Sequence, residues 1–266
     1  VKNDYNINNI FSKILIFLFW FSPFIHSRTS SENLGFSFFL IGLFFVLKIY
    51  KNKGNLYINS LLSGIFLGLS ILVKYHFLFI TLFILIHFIV INFEIKKIKY
   101  SLVTLSIVSI VFMLGVLIDS IAYGSFNLTI LNYFRINNDH AFDSFGHEPF
   151  WYYFTEILTK FSFPLSIFII LFTLIFWIRK TKDILSFITL PYFILLSYLG
   201  HKELRFIFPV LELSPFFISY VVSNFNMFKK FYISKIILIL NFIYIGFIFI
   251  PLTNEIKIYQ KIYNYN

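Results

Sequence analysis

A chain of 266 residues that is 59% hydrophobic and only 13% charged lacks the polar surface an ordinary soluble domain needs. It reads as a polytopic membrane protein. The net charge of +10 does not indicate nucleic acid, because the basic residues are scattered over connecting loops. The absence of cysteine excludes disulfides and thiolate metal sites. The 40 phenylalanines reflect A+T-rich coding drift rather than a binding device.

A bilayer core takes roughly 20 apolar residues of helix. Nine segments approach that length in chain order: Ile10–Phe24, Leu34–Tyr50, Ile58–Val73, Phe77–Phe93, Ser101–Ile118, Thr155–Ile178, Ile184–Gly200, Phe206–Ser223 and Ile233–Leu252. An unbroken helix from Ile58 to Phe93 would be about 54 Å long, far beyond the core, so a break is expected at Lys74-Tyr75-His76. The fold class is therefore all-α, a single transmembrane helix bundle of about nine spans.

Alternating nine spans puts Lys2, Lys13, Lys48, Lys51, Lys53, Lys96, Lys97, Lys99, Arg179, Lys180, Lys182, Lys229, Lys230 and Lys235 on one side. The other side receives Arg28, Lys74, Arg135, Lys160, Lys202, Arg205, Lys257 and Lys261. The positive-inside rule makes the first side cytoplasmic. The exoplasmic side then collects the mixed chemistry: Arg28–Glu32, Lys74–His76, the long Asp119–Tyr153 loop and His201–Arg205. Polar residues pressed against apolar spans line cavities or substrate paths, which places the site on that face.

The stretch His201-Lys202-Glu203-Leu204-Arg205-Phe206 resembles the hallmark of glycosyltransferase family 22. These are the polyprenyl- or dolichyl-phosphate-mannose-dependent α-mannosyltransferases of GPI-anchor and N-glycan assembly. Other strings are similar to family motifs in the same order. They are Ser27-Arg28-Thr29-Ser30-Ser31-Glu32 after Ser22-Pro23-Phe24, the Gly64/Gly68 span leading to Lys74, and Asp119-Ser120 with Tyr123-Gly124, Asn132, Gly146, Pro149 and Phe150–Tyr153. Together they cover most of the chain from Ser22 to Phe208.

The resemblance implies an inverting glycosyltransferase of GT-C type. It would move a mannose-like sugar from a polyprenyl-phosphate donor to a glycan or glycolipid acceptor on the exoplasmic face, using no cofactor and no metal. Such transfer needs a carboxylate to accept the hydroxyl proton and fixed cations to stabilise the departing phosphate. The candidates are Asp119 and Glu203 for the first task, and His201, Lys202, Arg205, Arg28 and Lys74 for the second. The family's acidic first-loop motif has no match here and the chain opens on Val1. The expectation is therefore a sequence lacking two spans and that loop, inactive by itself.

Each choice has a plainer counterpart. Glu203 could be only the ion-pair partner of Arg205, Lys202 or Arg28, Asp119 an interfacial cap, and Arg28 a snorkelling anchor. His76, His140 and His147 show no metal-ligand spacing with Asp139, Asp143 or Glu148. Gly64 and Gly68 favour close helix packing. Glu212 and His87, both mid-span, are expected to satisfy each other or a backbone group. Trp151, Tyr152 and Tyr153 read as an interfacial aromatic belt.

The competing functional reading is a transporter or flippase of a lipid-linked or anionic substrate. It calls for inverted repeats and midplane polar residues, whereas no internal repeat is visible and the charges cluster at span ends on one face. An accessory subunit that has lost the first loop is a third. Coding bias and short loops favour a bacterial inner membrane, with the endoplasmic reticulum the alternative.

Overall fold

A computed structural model describes residues 9–26, 30–91, 95–139, 146–160 and 163–248. Among them every regular element is helical. In chain order these are α1 (Ile10–Phe17), α2 (Ser22–His26), α3 (Ser31–Tyr50), α4 (Leu56–Val73), α5 (Phe77–Val90), α6 (Ile95–Tyr123), α7 (Thr129–Asp139), α8 (Tyr152–Lys160), α9 (Leu165–Arg179), α10 (Ile184–Tyr198), a 3-10 turn (Leu204–Ile207), α11 (Phe208–Ser223) and α12 (Met227–Ile248).

Starts and stops follow local chemistry. The Ser30 hydroxyl accepts from the Asn33 amide at 3.2 Å to open α3, and Asn55 and Asp183 open α4 and α10 in the same way. The α3–α4 hairpin turns through Asn52 and Gly54, both at positive φ. At the expected tripeptide the chain does break: α4 ends at Val73 and α5 begins at Phe77.

Among the described residues five helices are long and apolar enough to cross a membrane: α3, α4, most of α6, α11 with its preceding 3-10 turn, and most of α12. Helices α5, α9 and α10 are apolar but shorter. The expected count of about nine spans is not confirmed by these helices. The expected sixth segment is split between α8 and α9, with Pro164 directly before α9, since proline neither donates a helix bond nor fits a helix interior. The expected first segment is split by an unwound stretch between α1 and α2. There Asn241 of α12 accepts from the Trp20 amide at 2.9 Å and donates to the Leu18 carbonyl at 2.8 Å. Unwound backbone at membrane depth requires such partners, and the fully buried Asn241 supplies them.

Helix α11 is the most buried of the five spans, while α6 and α12 carry broad apolar faces such as Ile110, Leu114, Leu117 and Ile121, available to lipid. Helices α4 and α6 approach closely because glycines line the contact. A Cβ added at Gly64 would lie 2.6 Å from the Ile107 Cβ and 2.9 Å from the Thr104 carbonyl oxygen, and one at Gly68 would lie 2.7 Å from the Val111 Cβ. Ser63 and Thr104 hydrogen-bond across the contact at 3.0 Å. The Gly-x-x-x-Gly pattern is thus packing, as expected. Gly64→Val should force the helices apart at a cost of roughly 1–3 kcal/mol, read as a lower melting temperature in detergent. An unchanged melt would mean the contact is looser than its geometry indicates.

His87 and Glu212 do not meet each other, and His87 takes the alternative expected of it, a backbone group. The His87 imidazole bonds the Tyr50 hydroxyl and the Lys182 carbonyl, tying together the ends of α3, α5 and the α9–α10 turn. Glu212 of α11 instead accepts from the Ser22 hydroxyl at 3.1 Å and faces His26 Nε2 at 3.6 Å. The Glu212 carboxylate beside it outweighs burial and raises the His26 pKa above its ordinary 6.5. A raised folded-state value means that protonated His26 stabilises the fold. The contribution is complete below about pH 6.5 and fades as pH rises through the raised value. Melting temperature should therefore fall with pH in that window, and His26→Gln should remove this component. A pH dependence that survives the substitution would assign it elsewhere.

Candidate active site

The start of α3, the end of α4, the end of α10 and the His201–Phe206 signature meet at one end of the bundle. Tyr50, His87 and Lys182 meet at the other. Glu32, in the first turn of α3, is 2% exposed and organises the first of these ends. Its Oε1 lies 2.8 Å from Lys74 Nζ and 3.5 Å from Arg205 Nε. Arg205 also pairs with Glu203, donating from Nη2 at 2.8 Å, and His201 Nε2 lies 3.1 Å from the same Glu203 oxygen. Two carboxylates thus hold two cations and a histidine in one network. Burial raises the Glu203 pKa, but the bonds from Arg205 and His201 overcome it and hold the carboxyl below its usual range.

Lys202 turns the other way. It is buried, and its ammonium donates to the Glu148 carbonyl at 2.7 Å, while the Glu148 amide donates to the Gly200 carbonyl at 3.1 Å. This cation clamps the 146–149 segment to the signature loop, and desolvation lowers its pKa. Adjacent residues of one motif therefore carry different tasks: Arg205 stands half-exposed at the network's edge, and Lys202 is a strut.

Phe206 is the pivot of the site. Its ring centroid lies 5.7 Å from that of His76 and 6.0 Å from that of His201, with Lys74 Nζ 5.9 Å away. The Tyr192 hydroxyl donates to its carbonyl at 2.8 Å and fixes the 3-10 turn. Beside it opens a cavity of about 420 Å³ whose lining includes His76, Tyr133, Arg135, Leu196, His201 and Phe206. Tyr133 and Arg135 belong to α7, an amphipathic helix inside the segment read from sequence as a long loop.

Asp119, in the last turns of α6, lies apart from the network. Among the described residues no hydrogen bond or ion pair joins it to Glu32, Glu203, Lys74 or Arg205. Its neighbour is Tyr75, whose phenol is pushed up by burial and then by the Asp119 charge, and whose ring packs on Tyr133 at 5.3 Å. Asp119 thus approaches the cavity through two tyrosines. Arg28, His140 and Asp143 lie outside the described residues.

Glu32 and His76 are central to this site and were not among the sequence's catalytic or phosphate-binding candidates. Glu32 had a usable signal, a lone acid one position inside a helix of 20 mostly apolar residues. His76 had none for this site, since it stood as part of a break and, with His140 and His147, as a metal ligand without the spacing for one.

The sequence matches the Alg9-like mannosyltransferase family over residues 1–265. It is 31% identical over 134 residues to Mannosyltransferase APTG1 of Arabidopsis thaliana, covering 48% of this chain and 23% of that protein. It is 28% identical over 229 residues to GPI alpha-1,2-mannosyltransferase 3 of Mus musculus, covering 82% of this chain and 39% of the relative. With the Homo sapiens protein of that name identity is 26% over 220 residues, 79% of this chain and 37% of the relative. The chain therefore spans well under half the length of these curated relatives. No solved structure matches it significantly. A match along nearly the whole chain, on a sequence whose signature already resembled this group, leaves one conclusion: the chain belongs to the Alg9-like mannosyltransferase family.

Proposed function

We propose that this chain forms the donor-phosphate side of a membrane-embedded, inverting mannosyltransferase. The enzyme moves a mannose-like sugar from a polyprenyl-phosphate donor to a glycan or glycolipid acceptor at the exoplasmic face. The observation that supports it most is the meeting of Arg205, His201, Lys74 and Glu32 beside a cavity, in a chain of this family. In the reaction the acceptor hydroxyl gives its proton to a carboxylate and its oxygen bonds the sugar C1. The bond from C1 to the phosphate oxygen breaks, and its electrons leave with the phosphate. Arg205, aimed by Glu32 and Glu203, meets that charge, with His201 and Lys74 behind it.

A general base works best with a pKa near the working pH, so the lowered Glu203 carboxyl suits orienting Arg205 and His201 rather than taking a proton. Among the described residues Asp119 remains the candidate carboxylate on the acceptor side. Lys202 serves the phosphate indirectly, by holding the loop that carries Arg205.

The mammalian relatives make a mannosylated GPI-type glycolipid the first acceptor to try. The relatives named above come from a plant and two mammals, which gives no support to the bacterial inner membrane expected from coding bias. The membrane we propose is the endoplasmic reticulum. The decisive experiment incubates the whole protein in lipid nanodiscs with polyprenyl-phosphate mannose and that acceptor. An α-linked mannoside is expected. No product, together with equilibration of labelled lipid-linked sugar across vesicles, would overturn the proposal in favour of a flippase.

The orientation is tested on a chain free of native thiols. Lys202 is too buried to report, so the probe positions are Lys53 and Ser125, both exposed. In sealed vesicles with the cytoplasmic face outward, an impermeant maleimide should label Lys53→Cys and spare Ser125→Cys. The opposite pattern would move the site to the cytosol.

A further inference from the structure

We propose that His76 contacts substrate, hydrogen-bonding a hydroxyl of the sugar that occupies the 420 Å³ cavity; this rests on the transferase reading and deepens it. His76 is 5% exposed, and among the described residues neither of its ring nitrogens has a hydrogen-bond partner. Buried polar groups are nearly always paired, and leaving one unmade costs roughly 1–3 kcal/mol. The surroundings do not relieve it. Phe77, Phe206 and Tyr192 pack around the imidazole with centroids at 4.8, 5.7 and 6.3 Å. These are ring contacts, which leave the two nitrogens without donor or acceptor.

The imidazole lines the cavity, so a ligand there can supply what the protein does not. Burial, with the nearby Lys74 charge, pushes the His76 pKa down to about 3, so the ring stays neutral at ordinary pH. A neutral imidazole offers one N–H and one lone pair. That matches a hydroxyl, which both donates and accepts, better than it matches a phosphate, which wants cations. Cations are present, but in other positions: Arg135 elsewhere on the lining, and Arg205 joined through Glu203 to the lining residue His201. The volume falls within the roughly 300–1,000 Å³ of small-molecule sites, and such sites combine apolar walls with a few placed polar groups. Phe79, Phe134 and Phe206 provide those walls. A hydroxyl-rich pyranose fits the division, with its apolar face on the rings, a hydroxyl on His76 and its charged substituent toward the arginines. The sugar could be the donor's mannose or the acceptor's terminal residue; the chemistry is shared and kinetics separates them.

The test compares His76→Phe with His76→Gln in the whole protein in nanodiscs, at matched folded levels. Phe keeps the ring and removes both hydrogen-bonding groups, whereas Gln keeps a donor and an acceptor. Expected is a loss of roughly 5- to 150-fold in kcat/KM for Phe, the equivalent of one unmade hydrogen bond, with Gln recovering most of it. The melting temperature of the Phe variant should be at least that of wild type, because an orphaned polar group has been removed. A rise confined to the donor KM assigns the donor sugar, and one confined to the acceptor KM assigns the acceptor sugar.

A second readout does not depend on turnover. Octyl α-mannoside should raise the melting temperature of wild type and Gln but not of Phe, while polyprenyl phosphate should act alike on all three. If Phe folds poorly, His76→Leu takes its place. Wild-type activity and an unchanged mannoside shift in the Phe variant would overturn the proposal and make His76 a water-satisfied core residue. A whole protein that transfers nothing yet keeps a His76-dependent mannoside shift would sink the transferase reading and leave this contact standing.

Discussion

Replacing Arg205 by lysine should slow sugar transfer by on the order of 10²–10³ while donor binding weakens much less. The guanidinium is gripped from two directions, by Glu32 at its Nε and by Glu203 at Nε and Nη2, so its exposed edge is aimed rather than free to rotate. An ammonium at the end of a flexible chain can satisfy one of those carboxylates and can neither span both nor present a planar fork to phosphate. Charge that builds on the leaving oxygen is met by this edge only in the transition state, so the loss should fall on kcat. Glu203→Gln should show a milder form of the same defect, since it loosens Arg205 without removing it. An anchor would behave differently: Arg205→Lys would then retain wild-type activity per folded molecule, and that result would remove Arg205 from the phosphate site.

The second large effect concerns stability. Glu32→Ala should destabilise the bundle by about 3–5 kcal/mol, the usual cost of removing one partner from a buried ion pair. The cost falls mainly on Lys74, whose side chain is 18% exposed and whose ion-pair partner is Glu32; Arg205 is half-exposed and keeps Glu203. Lys74→Met should recover part of the loss when combined with Glu32→Ala, because an apolar pair leaves no charge stranded. Melting of the single and double variants in one detergent checks this. Additive losses would mean that the two residues act independently and that the 2.8 Å contact carries no energy.

Much of this architecture is legible in one dimension. Apolar runs must become helices in a bilayer, since no other element open to lipid satisfies its own backbone. Length alone requires the break at Lys74–His76, and Gly64 and Gly68 announce a close helix contact that α6 fills. The split before α9 was also available, because Pro164 stood inside the expected Thr155–Ile178 segment. The unwound stretch between α1 and α2 was not: it depends on Asn241, more than two hundred residues away. The amphipathic α7 was hidden because its polar face resembles a loop when the membrane is the only partner considered.

The site divides along the same line. Which residue types gather near the signature follows from the sequence, because charges are excluded from apolar runs and collect at their ends. What each one does was decided only by the fold. Lys202 and Arg205 are three positions apart, yet one is consumed by the Glu148 carbonyl and the other faces the network. Glu212 and His87 were expected to satisfy each other or a backbone group; His87 took the Lys182 carbonyl and the Tyr50 hydroxyl, and Glu212 took Ser22. Glu32 and His76 became central only when α3, α4 and the signature loop met. Pattern along the chain reports the periodicity and solvent preference of each segment. Direction and partner belong to contacts between segments far apart in sequence, and these exist only once the helices have packed.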